Sequence, residues 1–334
     1  MRPPPDGIRR KLLAAGAAVL ALAATAGGPA LAQSDWPKAK HITMVMPYPP
    51  GGPSDGLVRV YIEKLSARLG TPVVVDYRSG ANTLVASKYV MGLPADGYTF
   101  YVTSNAMHQG PLFFPKQFNY EPFDTFTPIG MMSMNPLVLV VNANVPAKSV
   151  AELVAFAKSQ PQPLSFATSG VGSPDHLSGE LLAYRAGITF NFIPYKGGAP
   201  ATQDVVAGQV QVRIDTITNS KPFFESGKLR PLGVMNGPTP LLPGVPGVPD
   251  TVAGVRGEGF FYLVAPKGLP APIAQRMANE TREILAMPDV QARVRALGLD
   301  PMTSSSPKEL VDFLRKDYET WKEVLRVTGL KLEE

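Results

Sequence analysis

The chain has 334 residues, of which 45% are hydrophobic and 18% charged, and it contains no cysteine. The length predicts about two domains, and the lack of cysteine excludes disulfides, thiolate metal ligands and thiol nucleophiles. Glycine and proline make up about a fifth of the chain, which is below the roughly 25–30% typical of low-complexity disorder.

The first 32 residues are typical of a secretory signal peptide. Basic residues 9–11 precede an apolar run over residues 12–24, and Ala30-Leu31-Ala32 has the small-x-small pattern of a cleavage site. The run is shorter than the roughly 20 residues that span a bilayer. We therefore expect cleavage after Ala32 and a periplasmic protein that begins at Gln33, exported by the general or the twin-arginine route.

Cleavage would also change the charge of the chain. It removes four basic residues and one acidic residue, so that 28 basic and 26 acidic residues remain, a net charge of +2. No basic cluster with interleaved aromatic residues is left, and nucleic acid is not expected as a partner.

The first part of the mature chain alternates predicted strands and helices. The strands are residues 42–46, 73–77 and 98–103, and the helices are residues 53–69 and 83–91. This βαβαβ order predicts a parallel sheet, which binds ligands at the carboxyl ends of its strands. Those ends are Pro47–Gly52, Asp76–Asn82 and Thr103–His108.

A second cycle of elements begins at the apolar strand 137–142. Ser149 and Glu152 predict a capping box that opens a helix ending at Lys158. The elements predicted next are strands 164–167, 189–193, 209–215 and 260–265, helices 174–185 and 200–207, and two or three closing helices, the last opened at Ser306. Strand 209–215 alternates apolar and polar residues, which predicts one less buried face.

Three predicted helix starts share a glycine-proline pattern. These are Gly51-Gly52-Pro53, Gly172-Ser173-Pro174 and Gly197-Gly198-Ala199-Pro200. Proline fits the first turn of a helix, and glycine lets the backbone approach a ligand closely. Free N–H groups at a helix start suit a carboxylate. The repeated pattern therefore predicts an anion-binding cleft.

Catalytic and metal motifs are weak in this sequence. His41, His108 and His176 lack metal-ligand spacing, and the segment around Ser169 lacks the first glycine of a nucleophile elbow. We predict a binding protein without cofactor or metal. The alternative is an exported serine hydrolase using Ser169 or Ser173 with His176, which itself reads either as a ligand donor or as an exposed neighbour of the helix cap.

Several ordered segments carry a family resemblance over essentially the whole mature chain. They are Pro47–Asp55, Pro94–Thr99, Thr168–Leu177, Pro194–Gly197, Gly208–Val212 and Leu263–Pro266. On these segments the chain resembles the solute-binding receptors of the tripartite tricarboxylate transporter family, the Bug-type periplasmic receptors.

The resemblance implies an α/β fold with two lobes of the type II periplasmic binding class, each a sheet wrapped by helices, which close on a small carboxylate. It implies chain crossings near Met134 and Glu258. Lobe 1 is then residues 33–134 with 258–334, and lobe 2 is residues 135–257. Helix starts, strand ends and the resemblance together give the expected ligand-binding residues: Tyr48, Gly51, Gly52, Ser54, Asp55, Ser104, Asn105, Ser169, Gly172, Ser173, His176, Tyr195 and Asp215.

The implied partners are the membrane components of a tripartite transporter, with the receptor a monomer; a receptor that feeds a sensor kinase is the alternative. Departures from the family pattern lie at Gly56, Ser79–Thr83, Asp215-Thr216 and Phe261-Tyr262, so the sequence does not identify the carboxylate. Asp55 has two interpretations. Either it organises the loop by accepting hydrogen bonds, or it is an exposed helix-start charge.

Overall fold

The computed structural model describes residues 36–195, 197–303 and 306–329, and the expected signal peptide lies outside them. The elements of the first half are β1 (Ile42–Met46), α1 (Pro53–Leu69), β2 (Val73–Tyr77), α2 (Leu84–Met91), β3 (Thr99–Ser104), α3 (Asn105–Phe113) and β4 (Phe126–Asn142).

The elements of the second half follow the same alternation until the closing helices. They are α4 (Val150–Ser159), β5 (Leu164–Thr168), α5 (Pro174–Ala186), β6 (Phe190–Pro194), α6 (Gly198–Val206), β7 (Val212–Thr216), α7 (Ile217–Glu225), β8 (Leu229–Val234), β9 (Glu258–Pro266), α8 (Ala271–Leu285), α9 (Pro288–Ala296), β10 (Asp300–Pro301) and α10 (Pro307–Thr328).

The strands form one continuous path in the order β2-β1-β3-β9-β4-β7-β5-β6. In the first sheet, β1 pairs in parallel with β2 and β3, as the βαβαβ order predicts, and β9 lies antiparallel between β3 and β4. In the second sheet, β4 continues antiparallel to β7 and β8, and β5 joins β7 to β6 in parallel. β4 pairs with β9 up to Pro136 and with β7 from Leu137 onward, so this strand is shared by both sheets.

Three sequence predictions need correction. β4 begins at Phe126, not at Leu137. Its first half contains Pro128 and Gly130, where the register with β9 shifts, so the sequence there lacks the regular pattern of a strand. Helix α3 was not predicted, since Gly110 and Pro111 interrupt its sequence. Helix α6 begins at Gly198 and not at Pro200, which places this proline in the third helical position.

The predicted less buried face of the strand at 209–215 is found only before the strand, at the exposed Gln209 and the half-buried Gln211, and is wrong within β7. β7 covers residues 212–216, and Val212 to Asp215 are all buried. The strand lies between β4 and β5, and helices α5, α6 and α7 pack against it. Its polar residues are therefore enclosed, which the alternation could not show.

Helix caps follow the predictions in large part. Ser306 and Glu309 form a reciprocal capping box at α10. Ser149 accepts a hydrogen bond from the Glu152 N–H, but the Glu152 carboxylate accepts from the Lys148 N–H instead of from Ser149. The box at α4 is therefore not reciprocal.

Contacts between the helices of the two sheets include an apolar cluster and a hydrogen bond. An apolar cluster joins α3 and α10, which pack with the first sheet, to α5, which packs with the second; its buried members are Phe113, Leu177, Leu181, Trp321 and Val324. Elsewhere the Thr218 hydroxyl donates to the Leu297 carbonyl at 3.1 Å. Any separation of the two halves must break both contacts.

Candidate ligand-binding site

The loop between β1 and α1 is organised around Asp55. This carboxylate is 5% exposed and accepts hydrogen bonds from the Gly51 N–H at 3.0 Å, from Arg59 Nε at 2.9 Å and from the Tyr77 hydroxyl. Burial alone would raise the pKa of Asp55, but these three donors outweigh it and hold the pKa below its usual value. The exposed helix-start interpretation of Asp55 is therefore wrong, and the structure shows the loop-organising arrangement.

The same loop has a backbone that depends on glycine. Gly51 has φ +95°, which disfavours any side chain there, and Gly52 caps α1 in an extended conformation, with Pro53 at the helix start. The next residue, Ser54, is buried within the first turn of α1. The predicted helix start thus has the expected geometry.

Tyr48 and Ser104 come together at the ends of β1 and β3. Their hydroxyls are hydrogen bonded at 2.6 Å, and the Tyr48 ring packs edge-on against Phe261 in β9. Burial raises the pKa of Tyr48, against the opposing effect of the Ser104 hydrogen bond. Ser104 also caps α3, and the neighbouring Asn105 donates to Gln109 within that helix. Two of the predicted strand ends therefore meet.

The loop between β5 and α5 repeats the Asp55 arrangement with Asp175. This buried carboxylate accepts from the Ser169 N–H at 2.7 Å and from the Ser169 hydroxyl at 2.9 Å. Gly172 donates its N–H to His176 Nδ1 at 3.1 Å, and the Ser173 hydroxyl donates to the Gly170 carbonyl. Both ends of the loop are thus fixed to the first turn of α5.

His176 is buried, so it is not an exposed neighbour of the cap. Burial lowers its pKa, although the Asp175 carboxylate opposes the shift. Because the Gly172 N–H donates to Nδ1, this nitrogen is the acceptor and carries no proton. Neither Ser169 nor Ser173 donates to His176, because their hydroxyls are bonded to Asp175 and Gly170. The geometry does not support the serine hydrolase alternative.

Asp215 and Tyr195 have well-defined partners in the second sheet. Asp215 is buried and accepts from five groups: the hydroxyls of Thr202 and Ser220, the Thr216 N–H, the Asn219 amide and Arg213 Nη2. The Tyr195 hydroxyl donates to Asp204 in α6, and burial, then Asp204, raises the pKa of Tyr195 to about 12. Both residues are engaged in contacts within the protein.

Sequence reasoning missed Arg213, the largest fully buried side chain of the second sheet. Its Nη2 lies 3.1 Å from the Ser169 hydroxyl and 3.2 Å from Asp215 Oδ1, and its Nη1 lies 3.4 Å from Asp175 Oδ2. Asp215 was singled out at the end of the same strand, and an arginine two residues before it was an available signal. The expectation of a less buried face drew attention away from it.

Two cavities adjoin the Ser169–Ser173 loop. The front cavity, about 290 Å³, lies between this loop and a wall from the first sheet's side formed by Ala81, Asn82, Phe114, Gln117 and Phe118. The second cavity, called the hinge cavity, is about 270 Å³. It is lined by the loop's two serines, by polar residues of α5, β7 and α7, and by Asn135 of β4 and Gly259 of β9. The β1–α1 loop lines neither cavity, so the structure does not bring all predicted site residues to one space.

The wall of the front cavity contains strained backbone. Ala81, Asn82 and Thr83 have φ of 44°, 48° and 80°, which non-glycine residues rarely adopt. Each such residue costs about 1–3 kcal/mol and is typical of functional sites. This segment is one of the departures from the family pattern.

Metal and membrane features are not found in this part of the molecule. Among the residues that the structure describes, no group of three or more histidine, aspartate or glutamate side chains could hold a metal ion. Within the same residues, none of the helices combines the length and apolar character needed to cross a bilayer.

Comparison with known proteins identifies the family. The model of the tripartite tricarboxylate transporter family receptor matches residues 57–330. The chain belongs to this family. The resemblance read from the sequence motifs is thus confirmed.

Solved structures of similar proteins confirm the fold. The structure of R. palustris Rpa4515 with adipate is 32% identical in sequence to this chain. The comparison has a TM-score of 0.77 and covers 89% of this chain and 99% of that one. MatC of Rhodopseudomonas palustris with bound malate is 27% identical (TM-score 0.72; 86% and 99% covered), and the periplasmic binding protein BugD is 28% identical (TM-score 0.74; 88% and 99% covered). The fold is the α/β fold of periplasmic solute-binding proteins.

Proposed function

We propose that the protein is a periplasmic receptor that binds a small organic carboxylate between two lobes and delivers it to the membrane components of a tripartite tricarboxylate-type transporter. The observation that carries this proposal is the front cavity, which has one wall from each half of the molecule and lies at the start of α5. N–H groups and the partial positive charge at a helix start favour an anion there. The adipate and malate in the two similar structures agree with this ligand class.

The lobes in this proposal are residues 33–134 with 258–334, and residues 135–257. Two features support the division: β4 exchanges β9 for β7 between Pro136 and Leu137, and β9 begins at Glu258. β4, which both sheets share, and its neighbour β9 would then act as the hinge. The apolar cluster around Trp321 and the Thr218–Leu297 contact would hold the lobes closed.

The predicted ligand-binding residues take two roles in this proposal. Gly52 and Ser54 would present backbone and hydroxyl groups to the ligand. Gly51 and Gly172 donate their N–H groups to Asp55 and His176, and the Ser173 hydroxyl donates to Gly170, so these three residues would shape the loops around the ligand. The others would fix those loops through their hydrogen bonds; they are Tyr48, Asp55, Ser104, Asn105, Ser169, His176, Tyr195 and Asp215. Export with cleavage after Ala32 and a monomeric state complete the proposal.

A thermal-shift screen of the purified protein tests this function. A ligand at 100 times its dissociation constant adds about 2.7 kcal/mol to the free energy of unfolding, which raises the melting temperature measurably. We expect small mono- or dicarboxylates to raise it, with no hydrolysis of simple esters or amides. A rise with sugars or cationic amines alone would contradict the proposal, as would ester hydrolysis that disappears in Ser173→Ala.

A further inference from the structure

Arg213 is a buried cation whose hydrogen bonds are incomplete. The residue is 2% exposed, and its Nη2 is occupied by Ser169 and Asp215. Among the residues that the structure describes, Nε and Nη1 have no hydrogen-bond partner, although Nη1 lies 3.4 Å from Asp175. Leaving a buried donor unpaired is costly, and more so for a charged group. An acceptor at these nitrogens would therefore stabilise the protein.

The acidic neighbours of Arg213 do not supply that acceptor. Asp215 already accepts from four donors besides Arg213, and Asp175 accepts from the N–H and hydroxyl of Ser169. Asp175 receives both of these bonds on Oδ2, and within the described part of the chain Arg213 Nη1 lies 3.4 Å from that oxygen without forming a hydrogen bond. The missing partner of the guanidinium is thus an oxygen acceptor from outside this cluster.

The hinge cavity is where such an acceptor can come from. Arg213 lines this cavity together with Ser169 and Ser173, and both serines also line the front cavity. A ligand held at one end by the Ser169–Ser173 loop would therefore have its other end near Arg213. The walls of the hinge cavity include Leu137 and Ile214, which suit the methylene groups of a linear acid.

We propose that Arg213 recognises the second carboxylate of a dicarboxylate ligand and sets the preference for dicarboxylates over monocarboxylates. This inference rests on the proposed function. A guanidinium is always charged and matches the geometry of a carboxylate, so the hydrogen bonds it forms are strong. A monocarboxylate of the same length leaves Nε and Nη1 unpaired and gains nothing there. Nε and Nη1 are buried in this conformation, so the ligand reaches them only when the hinge cavity opens further.

The competing explanation is that Arg213 only positions the loop through its bond to Ser169. The two roles differ in what they change. Positioning affects every ligand of the loop equally, whereas charge recognition affects the ratio of affinities for diacid and monoacid. That ratio is the quantity to measure.

Isothermal titration with matched acids measures the ratio of affinities for diacid and monoacid. The probes are adipate, glutarate and succinate, each paired with the monocarboxylate of the same chain length, titrated into wild type, Arg213→Met and Arg213→Lys. We expect wild type to bind at least one diacid about tenfold or more tightly than its monoacid, the range given by charged hydrogen bonds. Arg213→Met should abolish that ratio, and Arg213→Lys should retain part of it.

Arg230→Met is the matched control. This half-buried arginine in β8 donates to the carbonyls of Ala143, Val145 and Ala147, away from both cavities. The control should keep the wild-type ratio. If Arg213→Met does not fold, the diacid and its monomethyl ester are compared on wild type, where the ester should bind about tenfold or more weakly.

Four outcomes would overturn the inference. Equal loss of both acid classes in Arg213→Met indicates a positioning role, and equal binding of diacid and monoester by wild type removes charge recognition. Binding of monocarboxylates alone overturns this inference but leaves the proposed function standing. If no carboxylic acid binds wild type, the proposed function fails and the inference fails with it.

Discussion

The β1–α1 loop and the β5–α5 loop are built alike. Each has a glycine with positive φ, a proline at the helix start and a buried aspartate in the first helical turn that accepts a hydrogen bond from a loop N–H, Asp55 from Gly51 and Asp175 from Ser169. They differ in the arginine beside the aspartate. The Arg59 side chain is 58% exposed, whereas that of Arg213 is 2% exposed and has two nitrogens without hydrogen-bond partners among the described residues.

This difference separates two uses of one motif. Arg59 keeps access to water, so its charge is screened and its bond to Asp55 serves to hold the loop. Arg213 is removed from water, so each missing hydrogen bond has an energetic cost that a ligand can relieve. The first loop therefore only holds its backbone in a fixed conformation. The second loop does the same and also contains a buried charge that can select a ligand.

The largest expected effect comes from removing the main acceptor of the buried cluster. Asp215→Ala leaves Arg213 and four other donors without their carboxylate, and breaking a buried ion pair costs about 3–5 kcal/mol. Urea denaturation measures the loss. Asp55→Ala should cost less, since its arginine partner is exposed. Equal losses at the two positions would remove the distinction between the loops.

Asp55→Asn sharpens the comparison through ligand affinity. The folded structure should persist, but an amide cannot accept from Gly51, Arg59 and Tyr77 as the carboxylate does, so the loop geometry relaxes. We expect affinity for the best acid to fall by about 1–3 kcal/mol, measured by isothermal titration. Asp96→Asn, in an exposed pair with Lys40, is the control and should bind as wild type. Unchanged affinity in Asp55→Asn would exclude Asp55 from the site.

Acidification should weaken the β5–α5 loop through His176. Burial lowers the folded-state pKa of this ring, so between pH 7 and 5 the unfolded chain, with a histidine pKa of about 6.5, takes up a proton that the folded protein resists. The free energy of unfolding therefore falls as pH falls through that window.

The variant His176→Asn isolates this contribution from neighbouring acids. Glu180, 3.6 Å from the ring, has a pKa raised by burial and gives the opposite slope, while Asp175 favours the charged ring. The melting temperature of wild type minus that of His176→Asn should decrease as the pH is lowered from 7 to 5. A flat difference for His176 would contradict the assignment.

The smallest expected effect concerns the strained wall of the front cavity. Ala81 is exposed and has φ 44°, a conformation that costs about 1–2 kcal/mol for an L-residue. Ala81→Gly relieves this strain but adds about 0.5–1 kcal/mol of chain entropy, so a gain of up to about 1 kcal/mol is expected in urea denaturation. Ala95→Gly, without positive φ, should lose stability. A loss in both variants would show that the wall is not strained.

The sequence was most informative where local chemistry decides the structure. Hydrophobic spacing and Pro53 predicted the bounds of α1, and Ser306 with Glu309 predicted the cap of α10. Prediction failed where the position of an element within the whole fold decides which of its residues are buried. Alternation along residues 209–215 cannot show that β7 lies centrally between β4 and β5, so Arg213 was overlooked. The contact of Tyr77 with Asp55 joins residues that are distant in sequence, and no spacing rule predicts it.

A crystal structure of the protein with its tightest-binding acid tests the central claim most directly. We predict a ligand between the lobes, with one carboxylate at the Ser169–Ser173 loop and an oxygen of the other within hydrogen-bond distance of Arg213 Nε or Nη1. A ligand bound outside the interlobe cavities, or one whose carboxylates both lie away from that loop, would contradict the account.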